Sequence, residues 1–71
     1  MKYKEFIEWC NYRAADGCWG LETALVCLDI VSQIRKEPFW RREKKWKELN
    51  EIYKIVETIV EPINQEIEKY K

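Results

Sequence analysis

The sequence predicts a compact all-α domain, a bundle of three helices in which the long third helix is kinked or restarted at Pro62. Two observations support this prediction. From Trp46 onward, apolar residues recur at alternating gaps of three and four, the heptad pattern of a helix that buries one face. The 71 residues include only two Gly and two Pro, which leaves a sheet few turn residues. We call this row of apolar residues the seam; it consists of Trp46, Leu49, Tyr53, Val56, Val60, Ile63, Ile67 and Tyr70.

Helix 1 is predicted from about Lys2 to Ala15. Apolar side chains at helical spacing give it one face for the core. Gly17 follows Asp16 and ends the helix, because glycine readily adopts the left-handed conformation of a C-terminal cap. The predicted core face consists of Tyr3, Phe6, Ile7, Cys10 and Ala14.

Helix 2 is predicted to begin between Gly17 and Leu21 and to end near Lys36. Its apolar residues cover more than half of the helical circumference. An arc this wide is typical of a helix covered on two sides, so we expect helix 2 to be the central, most buried element. The apolar residues are Leu21, Ala24, Leu25, Cys27, Leu28, Ile30, Val31 and Ile34.

Helix 3 is predicted from about Phe39 toward the C-terminus. Pro38 separates it from helix 2, because proline disfavours helix in the residue before it and suits the first turn after it. The short connection makes helices 2 and 3 antiparallel neighbours. Phe39 lies seven residues before Trp46 and extends the seam. Pro62 lacks an amide donor and crowds an earlier carbonyl, which predicts a kink, or a break and restart, at that position.

The unequal helix lengths bear on assembly. A straight helix 3 would span on the order of 45–48 Å, against about 25 Å for helix 2 and about 20 Å for helix 1. Either the kink at Pro62 folds the end of the seam back, or a second copy covers the surplus. We expect a homodimer through helix 3.

No catalytic chemistry is predicted. The chain has no histidine and no glycine-rich phosphate loop, and its one serine, Ser32, has no base to activate it. We therefore expect a protein that is not an enzyme and needs no cofactor. The three cysteines, Cys10, Cys18 and Cys27, form no CxxC pair, so we expect neither structural zinc nor a required disulfide. Cys10 and Cys27 are interpreted as small core residues.

The location predicted for the chain is the cytoplasm of the host cell. Residues 1–8 are charged and lack the apolar core of a signal peptide. No apolar run reaches the length of a membrane span, so no membrane association is expected. We interpret residues 1–71 as one helical domain.

Charge is concentrated in the middle of the chain. Residues 35–47 carry seven basic and two acidic groups, net +5, between flanks of net −2 and −3. Basic residues interleaved with aromatics are typical of a surface that contacts phosphates and stacks on bases. Alternatively, Phe39 and Trp46 belong to the core seam and the charges cover a solvated face.

The aromatic content favours a protein interface. The chain has four tryptophans, and Trp, Tyr and Arg are the residues that dominate binding energy at interfaces. Trp40 lies one residue off the seam and is predicted to be an exposed anchor, while the alternative is that the rings plug the ends of the bundle. The predicted partner-binding residues are Trp40, Arg41, Arg42, Trp19, Lys44 and Lys45.

Four stretches carry a family resemblance: residues 1–11 (MKYKEFIEWCN), 16–19 (DGCW), 38–43 (PFWRRE) and 60–64 (VEPIN). They resemble small phage or prophage proteins of Gram-positive bacteria, a group with no assigned activity, so no functional residues are transferred. The resemblance implies expression inside the host during infection and action by binding and blocking a host protein, CRISPR effectors included. We therefore expect a protein-binding module, a phage-type inhibitor of a host or defence factor. The alternative is a helical nucleic-acid-binding accessory protein that uses residues 35–47.

Overall fold

The computed structural model describes residues 1–17 and 20–69, except for the side chains of residue 16 and residues 67–69. The described chain is helical and contains no strand, so the predicted all-α fold is confirmed. It measures 38 × 20 × 19 Å. None of its helices is both long and apolar enough to cross a bilayer. The elements are α1 (Tyr3–Asp16), α2 (Leu21–Lys36), a 3₁₀ turn (Phe39–Arg41), α3 (Arg42–Tyr53), a π-helical turn (Val56–Val60) and α4 (Glu61–Lys69).

The first helix ends where the sequence predicts. Gly17 adopts the left-handed conformation, with φ of 66°, and its amide donates to the carbonyl of Ala14 at 3.4 Å. The buried face of α1 is rotated from the predicted one, because Ala14 is exposed and Arg13 is buried instead. Arg13 takes this place because its guanidinium meets Asn64 of α4.

A single apolar core joins the helices. Phe6 of α1 and Trp46 of α3 stack at its centre, with ring centroids 4.5 Å apart. The indole Nε1 of Trp46 donates to the carbonyl of Met1 at 2.8 Å, so the one polar atom of this buried ring has an acceptor. The core residues are Phe6, Cys10, Cys27, Ile30, Val31, Ile34, Trp46, Leu49, Ile55 and Val60.

The prediction of a long third helix is wrong about where that helix is interrupted. The third helix ends at Tyr53, because Lys54 adopts the left-handed conformation with φ of 49° and ψ of 47°. Beyond it the chain becomes helical again, and the side-chain Oδ1 of Asn50 accepts the amide of Val56 at 3.1 Å. The fold therefore has four helices rather than three.

Pro62 distorts the chain without ending a helix. It lies inside α4, directly after the π-helical turn, whose closing bond runs from the amide of Glu61 to the carbonyl of Val56. A π turn is wider than an α turn, and widening before a proline gives room to its ring. The predicted interruption at Pro62 is therefore wrong: α4 runs through Pro62, and the chain breaks at Lys54 instead.

The left-handed residue also changes which side chains face the core. Ile55, which is off the predicted seam, is 0% exposed, whereas the seam residue Tyr53 is 56% exposed. Trp46, Leu49 and Val60 are buried as predicted. The described part of the seam is thus only partly buried within its own chain, and the homodimer through helix 3 stays a prediction. Ile67 and Tyr70 lie outside the described side chains.

The second helix has more buried residues than α1 or α3, as predicted, but the expectation that it is covered on two sides is wrong. One face of α2 is buried, but the opposite face presents large apolar side chains to solvent. The physical reason is that α1 and α3 both pack on the buried face, so nothing in the described chain covers the other one. The buried residues of α2 are Cys27, Ile30, Val31 and Ile34, and its exposed apolar residues are Leu21, Leu25, Val26 and Leu28.

The backbone at Lys54 leads to a stability prediction. Lys54→Gly should stabilise the fold by about 0.5–1 kcal/mol, because the left-handed conformation costs a non-glycine residue about 1–2 kcal/mol and the entropy of glycine takes back about 0.5–1. Urea unfolding measures the change. As the matched control, Lys47→Gly on the exposed side of α3 should destabilise by about 1 kcal/mol. Equal losses at both positions would mean that residue 54 is an ordinary helical residue.

Candidate binding surface at the Pro38 corner

The connection between α2 and α3 is a tight corner, residues 37–42, which we call the Pro38 corner. Glu37 and Pro38 are extended, with ψ of 148° and 153°. The amide of Glu37 donates to the carbonyl of Ile34 at 3.1 Å, and the amide of Arg41 donates to the carbonyl of Pro38 at 2.9 Å. The direction of the chain is thus set by backbone hydrogen bonds and by the fixed φ of proline.

Arg42 locks this corner. Its Nε donates to the carbonyl of Glu37 at 3.0 Å, and its Nη2 donates to the carbonyl of Arg35 at 3.3 Å. These carbonyls lie at the C-terminal end of α2, where the helix dipole concentrates partial negative charge and a cation is favoured. Arg42 is a predicted partner-binding residue, and the structure gives its half-buried guanidinium a role in holding the corner.

Two aromatic rings project from the corner. Phe39 is 70% exposed and Trp40 is 72% exposed, and the rings meet edge to face with centroids 5.1 Å apart and planes at 83°. The exposure of Trp40 agrees with the prediction. The prediction that Phe39 extends the core seam is wrong, because the 3₁₀ turn has three residues per turn and moves Phe39 off the face of Trp46.

Charged side chains lie together beside the rings. Arg41, Lys44 and Lys45 line one shallow surface with Glu37 and Glu48. Arg41 Nε is 4.0 Å from Glu37 Oε2, and the Arg41 side chain is 59% exposed. An ion pair this exposed contributes little to stability, so Arg41 can exchange its partner at small cost. The surface is of mixed sign, with three basic and two acidic groups.

The structure brings most of the predicted site together. Trp40 and Arg41 are adjacent on the corner, and Lys44 and Lys45 follow on the next turn. Trp19 lies outside the described residues. Sequence reasoning missed Phe39 as a surface residue, although its place directly after a proline, before regular α-helix begins, was an available signal.

Two of the three cysteines, Cys10 and Cys27, lie in the core. Cys10 of α1 and Cys27 of α2 are buried free thiols. The hydrogen bond with Cys27 and burial both raise the pKa of the Cys10 thiol, which disfavours the reactive thiolate. Cys18 is outside the described residues.

A metal centre has no candidate ligands in residues 1–17 and 20–69, where no three Cys, Asp or Glu side chains are grouped closely enough to hold an ion. A cleft of about 490 Å³ lies at the α3–α4 break and is open to solvent. No protein-family model matches this chain, and no curated protein or solved structure matches it either.

Proposed function

We propose that this protein is a non-enzymatic binding module that docks on another protein through the Pro38 corner. The observation that carries the proposal is the exposed pair of Phe39 and Trp40, held on a corner that Arg42 fixes. The chain exposes two large rings side by side, although burying them would stabilise the monomer. Such pairs are typical of surfaces that bury in a partner.

The arrangement is suited to tight docking. An aromatic ring on a backbone fixed by hydrogen bonds loses little conformational entropy when it enters a pocket. Arg41 lies next to Trp40 and offers a planar fork of donors for a carboxylate. We infer a partner surface with an apolar pocket for Trp40 and acidic groups beside it, which Lys44 and Lys45 would also favour.

The resemblance to small phage or prophage proteins suggests what kind of protein the binding module acts on. A binding module expressed during infection, with no catalytic group of its own, acts by occupying a surface that its target needs. We therefore favour an inhibitor of a host or defence factor, CRISPR effectors included.

Nucleic-acid binding through residues 35–47 is the second candidate. Stacking rings beside Arg41, Lys44 and Lys45 favour it, since these are the groups that single strands contact. Glu37 and Glu48 lie among the same basic groups and would face the phosphates. This interleaving weakens the electrostatic attraction on which nucleic-acid binding depends, so we place protein binding first.

The test compares baits in one capture experiment. Immobilised wild-type protein and its Trp40→Ala variant are exposed to host lysate, each with and without nuclease, and the Kd for the captured protein is then measured by calorimetry. Trp40→Ala should weaken binding by about 2 kcal/mol or more, the loss expected at an interface hot spot, while the fold is unchanged. Arg41→Glu, which reverses a charge beside Trp40, should also weaken binding to the captured protein and alter the salt dependence of that binding.

Ile52→Ala is the matched control, because Ile52 is 70% exposed but lies on α3, outside the corner. It should bind like the wild type. Equal binding by wild type and Trp40→Ala would place the interface elsewhere. Loss of the captured protein on nuclease treatment, together with a steep salt dependence, would instead support the nucleic-acid function.

A further inference from the structure

The outer face of α2 is a second apolar surface, separate from the Pro38 corner. Leu21, Leu25 and Leu28 follow one another at spacings of four and three, so they form one stripe along the helix. They are 76%, 58% and 62% exposed. At 100° per residue, this leucine stripe points away from the buried residues Ile30 and Ile34.

A groove beside the stripe widens this surface. The groove is lined from α2 by Leu25, Val26, Asp29 and Ile30 and from the end of α3 by Tyr53, around a volume of about 290 Å³. Tyr53 is exposed here because the left-handed Lys54 turns the chain away after it. Apolar side chains of α2 and α3 therefore meet at this groove, with Asp29 among them.

The chain exposes more surface than the average for a folded monomer of its mass. A folded monomer of 8.7 kDa is expected to expose about 4,700 Å² by the scaling of surface with mass. This chain exposes 5400 Å². The excess, about 700 Å², is close to the roughly 800 Å² that each partner contributes to an interface of standard size.

The charges on this face allow a copy to pack against it. No charged residue interrupts the leucine stripe, and Glu22 and Asp29 lie on one flank of it. The carboxylate of Asp29 accepts a hydrogen bond from Gln33 Nε2 at 2.9 Å, so it has a partner on its own helix. A two-fold axis parallel to α2 would leave the acidic flanks of the two copies on opposite sides of the pair, without repulsion.

We propose that the leucine stripe of α2, with the adjoining groove at Tyr53, is the interface for a second copy of this chain. A two-fold contact requires only that one surface be complementary to itself, and a stripe of leucines with no charged residue within it meets that condition. The site differs from the Pro38 corner, which stays free for a partner. The proposal does not depend on the proposed function.

The test is the mass in solution, by light scattering after size exclusion and by sedimentation equilibrium over a range of micromolar concentrations. The wild type should have twice the 8.7 kDa chain mass at the upper concentrations. Leu25→Glu should raise the Kd of the dimer on the order of 100-fold or more, because each interface then holds two buried charges. Circular dichroism checks that this variant, altered at an exposed position, stays helical.

A neutral variant and a control complete the design. Leu25→Ala with Leu28→Ala should weaken the dimer at least about tenfold without introducing charge. Phe39→Glu introduces the same charge at an exposed position of the Pro38 corner and should leave the dimer intact. A wild type that stays at 8.7 kDa throughout would overturn the proposal. So would a dimer that Leu25→Glu does not weaken, or one that Phe39→Glu dissociates equally.

Discussion

Trp46→Ala should leave the chain largely unfolded at room temperature, while Trp40→Ala should unfold at the same urea concentration as the wild type. The two tryptophans lie six positions apart on the same short segment, but Trp46 is 1% exposed and Trp40 is 72% exposed. Trp46 stacks on Phe6 and donates to the carbonyl of Met1, so its removal takes away contacts with α1 and with the N-terminus together.

The expected loss is large compared with the stability of so small a domain. Truncating a buried Trp to Ala costs about 3–5 kcal/mol, since the removed apolar area leaves a cavity. The stack on Phe6 adds about 0.5–1.5 kcal/mol beyond area burial. At about 0.05–0.15 kcal/mol per residue, a chain of 71 residues has a free energy of unfolding of roughly 4–11 kcal/mol. One substitution therefore removes a large part of the free energy of unfolding, and all of it at the lower end of this range.

Far-UV circular dichroism during urea unfolding measures this prediction without relying on tryptophan fluorescence. Trp46→Phe should give an intermediate midpoint, because it keeps an aromatic ring against Phe6 but leaves the carbonyl of Met1 without its donor. If Trp46→Ala shifts the midpoint no more than Trp40→Ala, the Phe6–Trp46 stack is not the centre of the core.

Local signals in the sequence account for the first half of the fold. Gly17 ends α1 and Pro38 separates α2 from the 3₁₀ turn, because these residue types restrict the backbone whatever surrounds them. The burial of Trp46 and Leu49 agrees with their heptad spacing. The rotation of α1 could not be predicted, since the burial of Arg13 depends on Asn64 from a distant helix.

The break at Lys54 shows why the second half was harder to predict. Lysine is a good helix former, and the heptad pattern continues through residue 54 as if the helix did. Tertiary packing decides the outcome, because the turn brings Ile55 fully into the core and Asn50 satisfies the amide of Val56. Propensity is a weak prior that such contacts override.

The candidate site was predictable in its residues more than in its geometry. The exposure of Trp40 agrees with its place one residue off the seam. The roles of its neighbours depend on backbone carbonyls that only the fold supplies: Arg42 turns inward to the end of α2, whereas Arg41 stays accessible. The exposed face of α2 was not predictable, because a wide apolar arc looks the same whether its second side is covered by the chain itself or by a copy.

Arg13→Ala should destabilise the fold by about 3 kcal/mol, the second largest effect that we expect. Arg13 is 5% exposed, and its Nη2 donates to Oδ1 of Asn64, which also accepts Trp9 Nε1 at 3.1 Å. Its guanidinium carbon lies 5.8 Å from the ring centre of Trp9 and 5.4 Å from that of Tyr12. The side chain thus ties α1 to α4 through a charge-assisted hydrogen bond, and its guanidinium makes two cation–π contacts within α1.

Urea unfolding of four variants measures what this tie contributes. Arg41→Ala, which removes an exposed arginine, is the matched control and should change stability by less than about 0.5 kcal/mol. Arg13→Lys should recover less than half of the loss, because an ammonium lacks the planar fork that reaches Asn64 and covers the rings. Asn64→Ala and the double variant with Arg13→Ala complete a cycle, whose coupling should be about 1 kcal/mol or more. A coupling of zero would show that Arg13 stabilises the fold by packing its aliphatic stem rather than by bonding to α4.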